Sequence, residues 1–195
     1  MVNLHLSENS SALEVDVNDR SIAKIVADQD KARLRQVVVA RIDGILVDLS
    51  VVPTDGDEIF LVAADSPEGL EVLRHSAAHV MAEAVKSLFP NVKVTIGPAI
   101  KDGFYYDFDF ERPFTLEDLK AIEKKMKALI KEGRQFRRRE VTRQEALALF
   151  AGMGEDYKVE LINELADAET ISLYESGNFV DLCRGPHLSL SLIHI

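Results

Sequence analysis

Apolar and polar positions alternate in short runs over the first 65 residues, a pattern typical of a small sheet with little helix. The runs predict a strand near 12–17, a short helix after Ser21, and strands at 37–42, 45–49 and 59–62. Asp43 and Gly44 separate two β-branched runs and predict a hairpin, because a tight turn needs positive φ. Strands with one helix and a terminal strand favour a β-grasp fold. We interpret it as a binding or spacer module without a catalytic site.

The pattern changes to a helical period after residue 65, where we place a domain boundary. Ser66 is a good N-cap, and Pro67 suits the first helical position because its missing N–H needs no partner there. The helix is expected to reach about Leu88 and to stop before Pro90. Its apolar stripe is formed by Leu70, Leu73, Ala77, Val80, Met81 and Ala84.

The remaining chain mixes short strands with two capped helices. A strand at 92–96, a turn at 97–98 and a partly alternating aromatic segment at 104–110 come first. Two capping boxes then predict helices, one ended by Gly133 and the other reaching about Ala151; the boxes are Thr115 with Asp118 and Thr142 with Glu145. The fold class expected is α+β.

Composition agrees with a globular protein. The 195 residues are 47% hydrophobic and 29% charged, with 23 basic and 33 acidic side chains giving a net charge of −10. No apolar run approaches the roughly 18 residues of a membrane span, and the start lacks the basic character of a signal peptide. We therefore expect a cytoplasmic protein with no membrane partner. The single cysteine, Cys183, cannot form an intramolecular disulfide.

Basic residues are concentrated between 119 and 143, where ten bases accompany three acids. Two interpretations are open. In the first, most of these side chains lie on the solvated face of one helix. In the second, the stretch attracts a polyanion. The residues that would carry the second interpretation are Lys120, Lys124, Arg137, Arg138 and Arg139.

Two pairs of metal-ligand type share a four-residue spacing. His75 and His79 would emerge from one face of the long helix, and Cys183 and His187 repeat the spacing 104 residues further on. Three histidines and a cysteine suit a zinc site. The alternative is a buried cysteine and surface histidines with no common geometry.

Lys158 and Asp181 stand out by position. Lys158 is the one base between 144 and 181, and Asp181 precedes Cys183 by two residues. Lys158 would hold a phosphate or an oxyanion, and Asp181 would fix a histidine tautomer or bind an amino group. The alternative for Lys158 is a solvated side chain paired with Glu155 or Glu160.

Taken in order, these motifs resemble the N-terminal region of the threonyl-tRNA synthetase family over roughly residues 1–188. The matching segments are the turn at 43–44, the two histidines at 75 and 79, and segments 96–98, 103–107, 157–159 and 183–187. The resemblance implies a β-grasp TGS domain at 1–65 and an α+β editing domain at 66–188 that hydrolyses seryl-tRNA(Thr) made in error. The matching functional positions are His75, His79, Tyr106, Lys158, Asp181, Cys183 and His187.

The resemblance also sets expectations about cofactors and partners. The acceptor end of tRNA(Thr) is the expected partner, and zinc either is held by the four ligand-type residues or plays no part. ATP belongs to an aminoacylation core that this chain lacks, and the family's homodimer contacts lie there, so a monomer is expected. Residues 189–195 do not match the family and read as a truncation artefact.

Two alternatives differ in class. In the first, the chain is a tRNA-binding or regulatory TGS module without catalysis. In the second, it is a freestanding alanyl-type editing hydrolase. Arg184, Pro186 and the N-terminal module favour the threonyl family over the alanyl type.

Overall fold

The computed structural model describes residues 1–7, 10–165 and 171–188; the stretch 189–195, interpreted above as a tail, lies outside them. The first region is a five-stranded sheet in the order β2-β1-β5-β3-β4, in which β1 and β5 are parallel and the other neighbours antiparallel. Its elements are β1 (Val2–His5), β2 (Leu13–Val15), α1 (Ile22–Gln29), α2 (Lys31–Leu34), β3 (Val37–Ile42), β4 (Ile45–Val47) and β5 (Glu58–Ala63).

The predicted hairpin between β3 and β4 is confirmed. Asp43 and Gly44 have φ values of 50° and 79°, the conformation that the tight turn requires. Strand β1 is not among the predicted strands. α1 lays a stripe of Ile22, Ile25 and Val26 on the sheet, and each of these side chains is buried.

The second region begins with α3 (Pro67–Leu88), whose bounds confirm the predicted helix. Ser66 Oγ accepts a hydrogen bond from the backbone of Gly69, and the helix ends at Leu88 with Phe89 as its C-cap, just before Pro90. No helix within the described ranges is long and apolar enough to cross a membrane.

Four very short strands follow α3, where the sequence predicted longer ones. They form two antiparallel pairs, β6 with β9 and β7 with β8. Their bounds are β6 (Lys93–Val94), β7 (Ala99–Ile100), β8 (Gly103–Phe104) and β9 (Phe108–Asp109). The aromatic segment therefore turns back on itself instead of forming one strand.

Three helices and a small antiparallel sheet, in the order β10-β11-β12, complete the described chain. Both predicted capping boxes are present, and Gly133 ends α4 with φ of 63°. The elements are α4 (Leu116–Glu132), β10 (Arg137–Val141), α5 (Arg143–Gly152), α6 (Asp156–Glu164), β11 (Ile171–Ser176) and β12 (Phe179–Leu182). The basic stretch is thus divided, because Arg137, Arg138 and Arg139 lie on a strand and not on the helix.

The two regions share apolar contacts. Val38, Val39 and Val62 of the first sheet belong to one buried cluster with Val72 and Val80 of α3. A second cluster lies between that sheet and α1. The change from sheet to helix occurs at Ser66, yet the packing crosses it.

Candidate functional site

The two pairs predicted as ligands meet in space. His75 and His79 project from α3, and Cys183 and His187 belong to the loop that follows β12. One ligand atom from each of the four residues lies within 4.8 Å of all the others. The interpretation in which these residues share no geometry is therefore wrong.

Cys183 is at the centre of this cluster. Its sulfur lies 3.0 Å from Nε2 of His75 and 3.4 Å from Nε2 of His187, and it accepts the Gly185 N–H at 3.2 Å. The imidazoles of His75 and His187 stack with centroids 4.5 Å apart, and the ring of His79 stands edge-on to both.

In two of the histidines, the Nδ1 nitrogen lies close to a polar side chain outside the cluster. Ser76, between the two helix histidines, places its hydroxyl 3.1 Å from Nδ1 of His187 and accepts the Leu188 N–H at 3.2 Å. Asp181 Oδ2 lies 3.5 Å from Nδ1 of His79. Such outer partners fix ring orientation and tautomer.

Asp181 joins the cluster to a buried polar network. Its Oδ1 lies 2.5 Å from the Lys158 ammonium, and its Oδ2 accepts the Tyr106 hydroxyl at 2.8 Å. Lys158 also donates to the Thr95 carbonyl at 2.7 Å. Lys158 and Asp181 are only 2% and 1% exposed, so the interpretation of Lys158 as a solvated partner of Glu155 or Glu160 is wrong.

Two glycines leave room for the aromatic side chains that support this site. A Cβ on Gly97 would lie 2.0 Å from the Tyr106 ring, and one on Gly185 would lie 2.0 Å from the Tyr174 hydroxyl. Gly185 also has φ of +71°, which disfavours other residues, and its bond to Pro186 is cis. Backbone shape thus positions both the Tyr106 ring and the 183–187 loop.

Burial keeps the cluster uncharged at neutral pH. Desolvation lowers the pKa of His79 to about 4, against an opposing effect of Asp181, and lowers the pKa of His75 and, strongly, that of His187. Burial raises the pKa of Cys183 to about 12 and holds that of Tyr106 well above its usual value. Three neutral imidazoles and a thiol therefore face one another.

This donor set fits a zinc ion. Histidine nitrogens and cysteine thiolates are ligands that zinc prefers, four of them suit its tetrahedral geometry, and the outer partners of His79 and His187 would orient bound imidazoles. A bound cation would also displace the thiol proton, because zinc binds the thiolate.

Two cavities adjoin the cluster. One, of about 500 Å³, lies where the two regions meet and is lined by Lys24, Arg35, Asp48, Phe136 and His187, among others. The other, of about 380 Å³, lies beside Cys183 and Arg184 and has aliphatic walls that include Leu161 and Leu182. The cluster can therefore be approached from its cysteine side.

The structure brings together all seven side chains that the resemblance suggested, as a four-residue cluster with Tyr106, Lys158 and Asp181 behind it. The five cationic residues lie on other elements: Lys120 and Lys124 are exposed on α4, and Arg137, Arg138 and Arg139 on β10. Their role stays a prediction.

Sequence reasoning missed several residues that touch the site. Ser76 lies within the histidine segment, directly after His75, and its side chain is buried. Asp48 accepts hydrogen bonds from the Tyr174 hydroxyl and from the His187 backbone, and the Tyr174 ring contacts the His187 ring; no local pattern indicates either residue.

Comparison with known proteins finds close relatives. The chain is 57% identical over 157 residues to the threonine-tRNA ligase of Nitratidesulfovibrio vulgaris, which covers 80% of this chain and 24% of the relative. It is 55% identical over 168 residues to the ligase of Geobacter sp. strain M21, covering 86% of this chain and 26% of the relative. The ligase of Acidithiobacillus ferrooxidans is 56% identical over 154 residues. The chain thus spans about a quarter of the length of these curated relatives. A scan against protein-family models finds no match.

Proposed function

The chain is homologous to the N-terminal region of threonine-tRNA ligases, the threonyl-tRNA synthetases, and on that premise we propose that it hydrolyses seryl-tRNA(Thr) made in error. The observation that carries this proposal is the meeting of the two four-residue pairs within 4.8 Å, backed by the buried Lys158–Asp181 pair. Buried titratable groups beside a cavity are typical of catalytic sites.

We assign the two regions to two domains. The first, 1–65, corresponds to a TGS domain, and its strand order with one parallel pair supports a β-grasp. The second, 66–188, corresponds to an editing domain of the threonyl and alanyl type. The site is built on the second, from the α3 helix, the loop after β12, and Lys158 of α6.

Such a hydrolase is needed because threonine and serine differ by one methyl group. A missing group of that size in a synthetic pocket gives only about 1 to 3 kcal/mol of discrimination. A second site that admits serine and excludes threonine multiplies the selectivity. Aliphatic walls beside Cys183 are suited to sensing one extra methyl.

The base that activates water is proposed to be His75. It is the most exposed of the three histidines, and its lowered pKa keeps it neutral, so that its imidazole can take a proton from water. The water oxygen then attacks the ester carbonyl, the bond to the ribose oxygen breaks, and the proton passes to that oxygen. Asp181 and Ser76 fix the orientation of His79 and His187, whose rings line the same space.

Lys158 and Asp181 act behind the reacting atoms in this proposal. Both are buried and contact one another and Tyr106. Asp181 holds the His79 ring, and the Lys158 ammonium balances the charge of the Asp181 carboxylate. If zinc is bound, His75, His79, Cys183 and His187 hold it, and it supplies Lewis-acid activation of water.

The substrate's acceptor end is proposed to reach the site along the basic stretch. Lys120, Lys124, Arg137, Arg138 and Arg139 are exposed, and contacts to phosphates would make binding salt-dependent. In the whole protein, the ATP-dependent aminoacylation reaction would belong to the remaining length.

Single-turnover release of serine from seryl-tRNA(Thr) tests the proposal, with threonyl-tRNA(Thr) as control and with or without a strong zinc chelator. We expect hydrolysis of the seryl ester alone. Sensitivity to the chelator would assign the reaction to a zinc enzyme, and insensitivity to the side chains themselves. Absence of hydrolysis by folded protein, with tRNA binding retained, would favour the binding module. Hydrolysis of seryl-tRNA(Ala) instead would favour the alanyl-type hydrolase.

A further inference from the structure

Asp48 differs from every other residue of the first sheet region. It follows β4 directly, and among the described residues before Ser66 it is the one charged or polar side chain that is buried, at 6% exposed. A buried carboxylate needs hydrogen-bond donors. The first region does not supply them.

Both donors come from the second region. Asp48 Oδ1 accepts the backbone N–H of His187, and Oδ2 accepts the hydroxyl of Tyr174, each at 2.7 Å. These partners are 139 and 126 residues away along the chain. Hydrogen bonds to a charged group are stronger than those between neutral groups. The contact is therefore a specific attachment between the two regions.

Tyr174 extends this attachment to the rest of the 183–187 loop. Its ring stands edge-on to the His187 imidazole at 4.5 Å, and its hydroxyl occupies the space where a Gly185 side chain would lie. Asp48 fixes that hydroxyl and the His187 backbone together. Cys183 and His187 thus lie at the two ends of a loop that a carboxylate of the first region binds directly at His187.

We propose that Asp48 is a positioning residue through which the first region holds the 183–187 loop, and with it Cys183 and His187, in register with the histidines of α3. The sheet region is then a working part of the hydrolytic site and not a spacer. This inference rests on the proposed function for its catalytic consequence, whereas its structural content is independent of any substrate.

The single cysteine provides a test that needs no tRNA. Alkylation by iodoacetamide, followed by intact mass, reports only on Cys183. Asp48→Ala leaves two donors unpaired, so the loop opens more often, and we expect alkylation to accelerate by about tenfold. Asp48→Asn keeps an acceptor for the His187 N–H and can donate to the Tyr174 oxygen, and we expect its rate to stay within about threefold of the unaltered protein.

Asp57→Ala is the matched control. Asp57 lies in the same region and also accepts two hydrogen bonds, but both come from Thr54 at 2.8 Å. Its replacement is expected to leave alkylation unchanged. In the hydrolysis assay, Asp48→Ala is expected to lower kcat by about tenfold or more with KM little changed, because loop misplacement affects the reacting geometry. Asp48→Asn is expected to restore kcat.

Several results would overturn the inference. Equal alkylation of Asp48→Ala and the unaltered protein is one, and equal acceleration in Asp57→Ala is another, since it would indicate general loosening. An Asp48→Asn protein that behaves like Asp48→Ala would also exclude the hydrogen-bonding role. If Asp48→Ala does not fold, Tyr174→Phe decides, with a severalfold acceleration expected and none contradicting the inference. Failure of the unaltered protein to hydrolyse seryl-tRNA(Thr) would overturn the proposed function and leave the alkylation result to stand alone.

Discussion

The interiors of the two regions differ in polarity. Between the first sheet and α1 the buried side chains are apolar, and charged pairs such as Arg20 with Asp28 lie near the surface. The second region buries nine polar or charged side chains among its described residues. They are Ser76, His79, Glu83, Glu155, Lys158, Ser172, Ser176, Asp181 and His187.

This difference distinguishes buried apolar side chains, which stabilise a fold, from buried polar side chains, which are suited to catalysis. An apolar interior stabilises wherever its volume is filled, whereas each buried polar group costs free energy unless its partners are placed correctly. Replacing a buried ion pair with apolar residues is often neutral or stabilising, so retention of the Lys158–Asp181 pair is not explained by stability. The polar interior of the second region is better explained by the chemistry proposed for it.

The largest effect is expected from the same substitution made at the buried ion pair of the second region and at a surface ion pair of the first. Asp181→Asn removes the charge that Lys158 faces while keeping the side-chain shape, and it leaves a buried ammonium without its counter-charge. We expect a loss of about 3 to 5 kcal/mol in the free energy of unfolding. Asp28→Asn breaks an ion pair whose carboxylate is 56% exposed, and the expected loss is below about 1 kcal/mol. Urea denaturation of both variants measures the difference.

Hydrolysis provides the second half of that test. Asp181→Asn is expected to abolish serine release even in the fraction that remains folded, because His79 loses its carboxylate partner. Asp28→Asn is expected to keep the full rate. Similar stability losses in the two variants would contradict the claim that the buried Lys158–Asp181 pair depends on its partners more strongly than a surface pair does.

Local sequence signals are sufficient to predict several of the helix ends and turns. The N-cap at Ser66, the two capping boxes, the αL residue Gly133 and the turn at Asp43 and Gly44 act within a few residues, so the sequence predicts them directly. The sequence patterns do not predict β1, β7, β10, β11 or β12, nor the helices α2 and α6, and they predict β6 too long. For β1 and β10, pairing with strands far along the chain decides where the strand ends, and a pattern within the strand does not contain that information.

The candidate site divides in the same way. The spacing of each ligand pair is local, so each pair was visible in the sequence. Their meeting across 104 residues follows from packing of the β12 loop against α3; the ligand types left it as one of two interpretations, and the family resemblance favoured it. The contacts of Asp48 with Tyr174 and His187 join distant segments through single side chains, which no periodicity reveals.

A smaller effect is expected from acid. The pKa of His79 is about 4 in the folded protein and about 6.5 in the unfolded chain. Between these values the unfolded chain binds the extra proton, so stability falls as the pH is lowered through 6.5 toward 4 and this residue causes no further loss below it. In protein treated with a chelator, His79 is expected to contribute a loss of about 2 kcal/mol between pH 7 and pH 5.

The contribution of His79 is isolated by comparing its variant. His79→Asn keeps a donor toward Asp181 but has no titrating ring, so its stability should fall less steeply over this range. The difference between the two proteins is the quantity to measure, because Asp48 and Glu83, whose pKa values are raised by burial, act with the opposite sign in both. Parallel pH profiles would show that His79 is not a source of acid sensitivity.

The smallest effect is expected at a second polar contact between the regions. Ser66 joins the end of β5 to the start of α3: its Oγ accepts the Gly69 N–H at 3.0 Å and donates to the Ala63 carbonyl at 2.7 Å. Ser66→Ala removes this cap, and we expect a loss of about 1 kcal/mol in the free energy of unfolding. Ser66→Asp restores an acceptor for the helix and is expected to recover part of that stability.

Hydrolysis by Ser66→Ala distinguishes the two contacts. Ser66 caps the helix nine residues before His75, so its loss frays the first turn and leaves the histidine turns packed. We therefore expect an unchanged rate per folded molecule and unchanged alkylation of Cys183. Asp48, by contrast, bonds directly to the loop that ends in His187. If Ser66→Ala slowed hydrolysis as much as Asp48→Ala, any loosening between the regions would disturb the site, and the attachment would not be specific to one carboxylate. An unaffected Ser66→Ala protein would leave Asp48 as the contact through which the apolar region acts on the polar one.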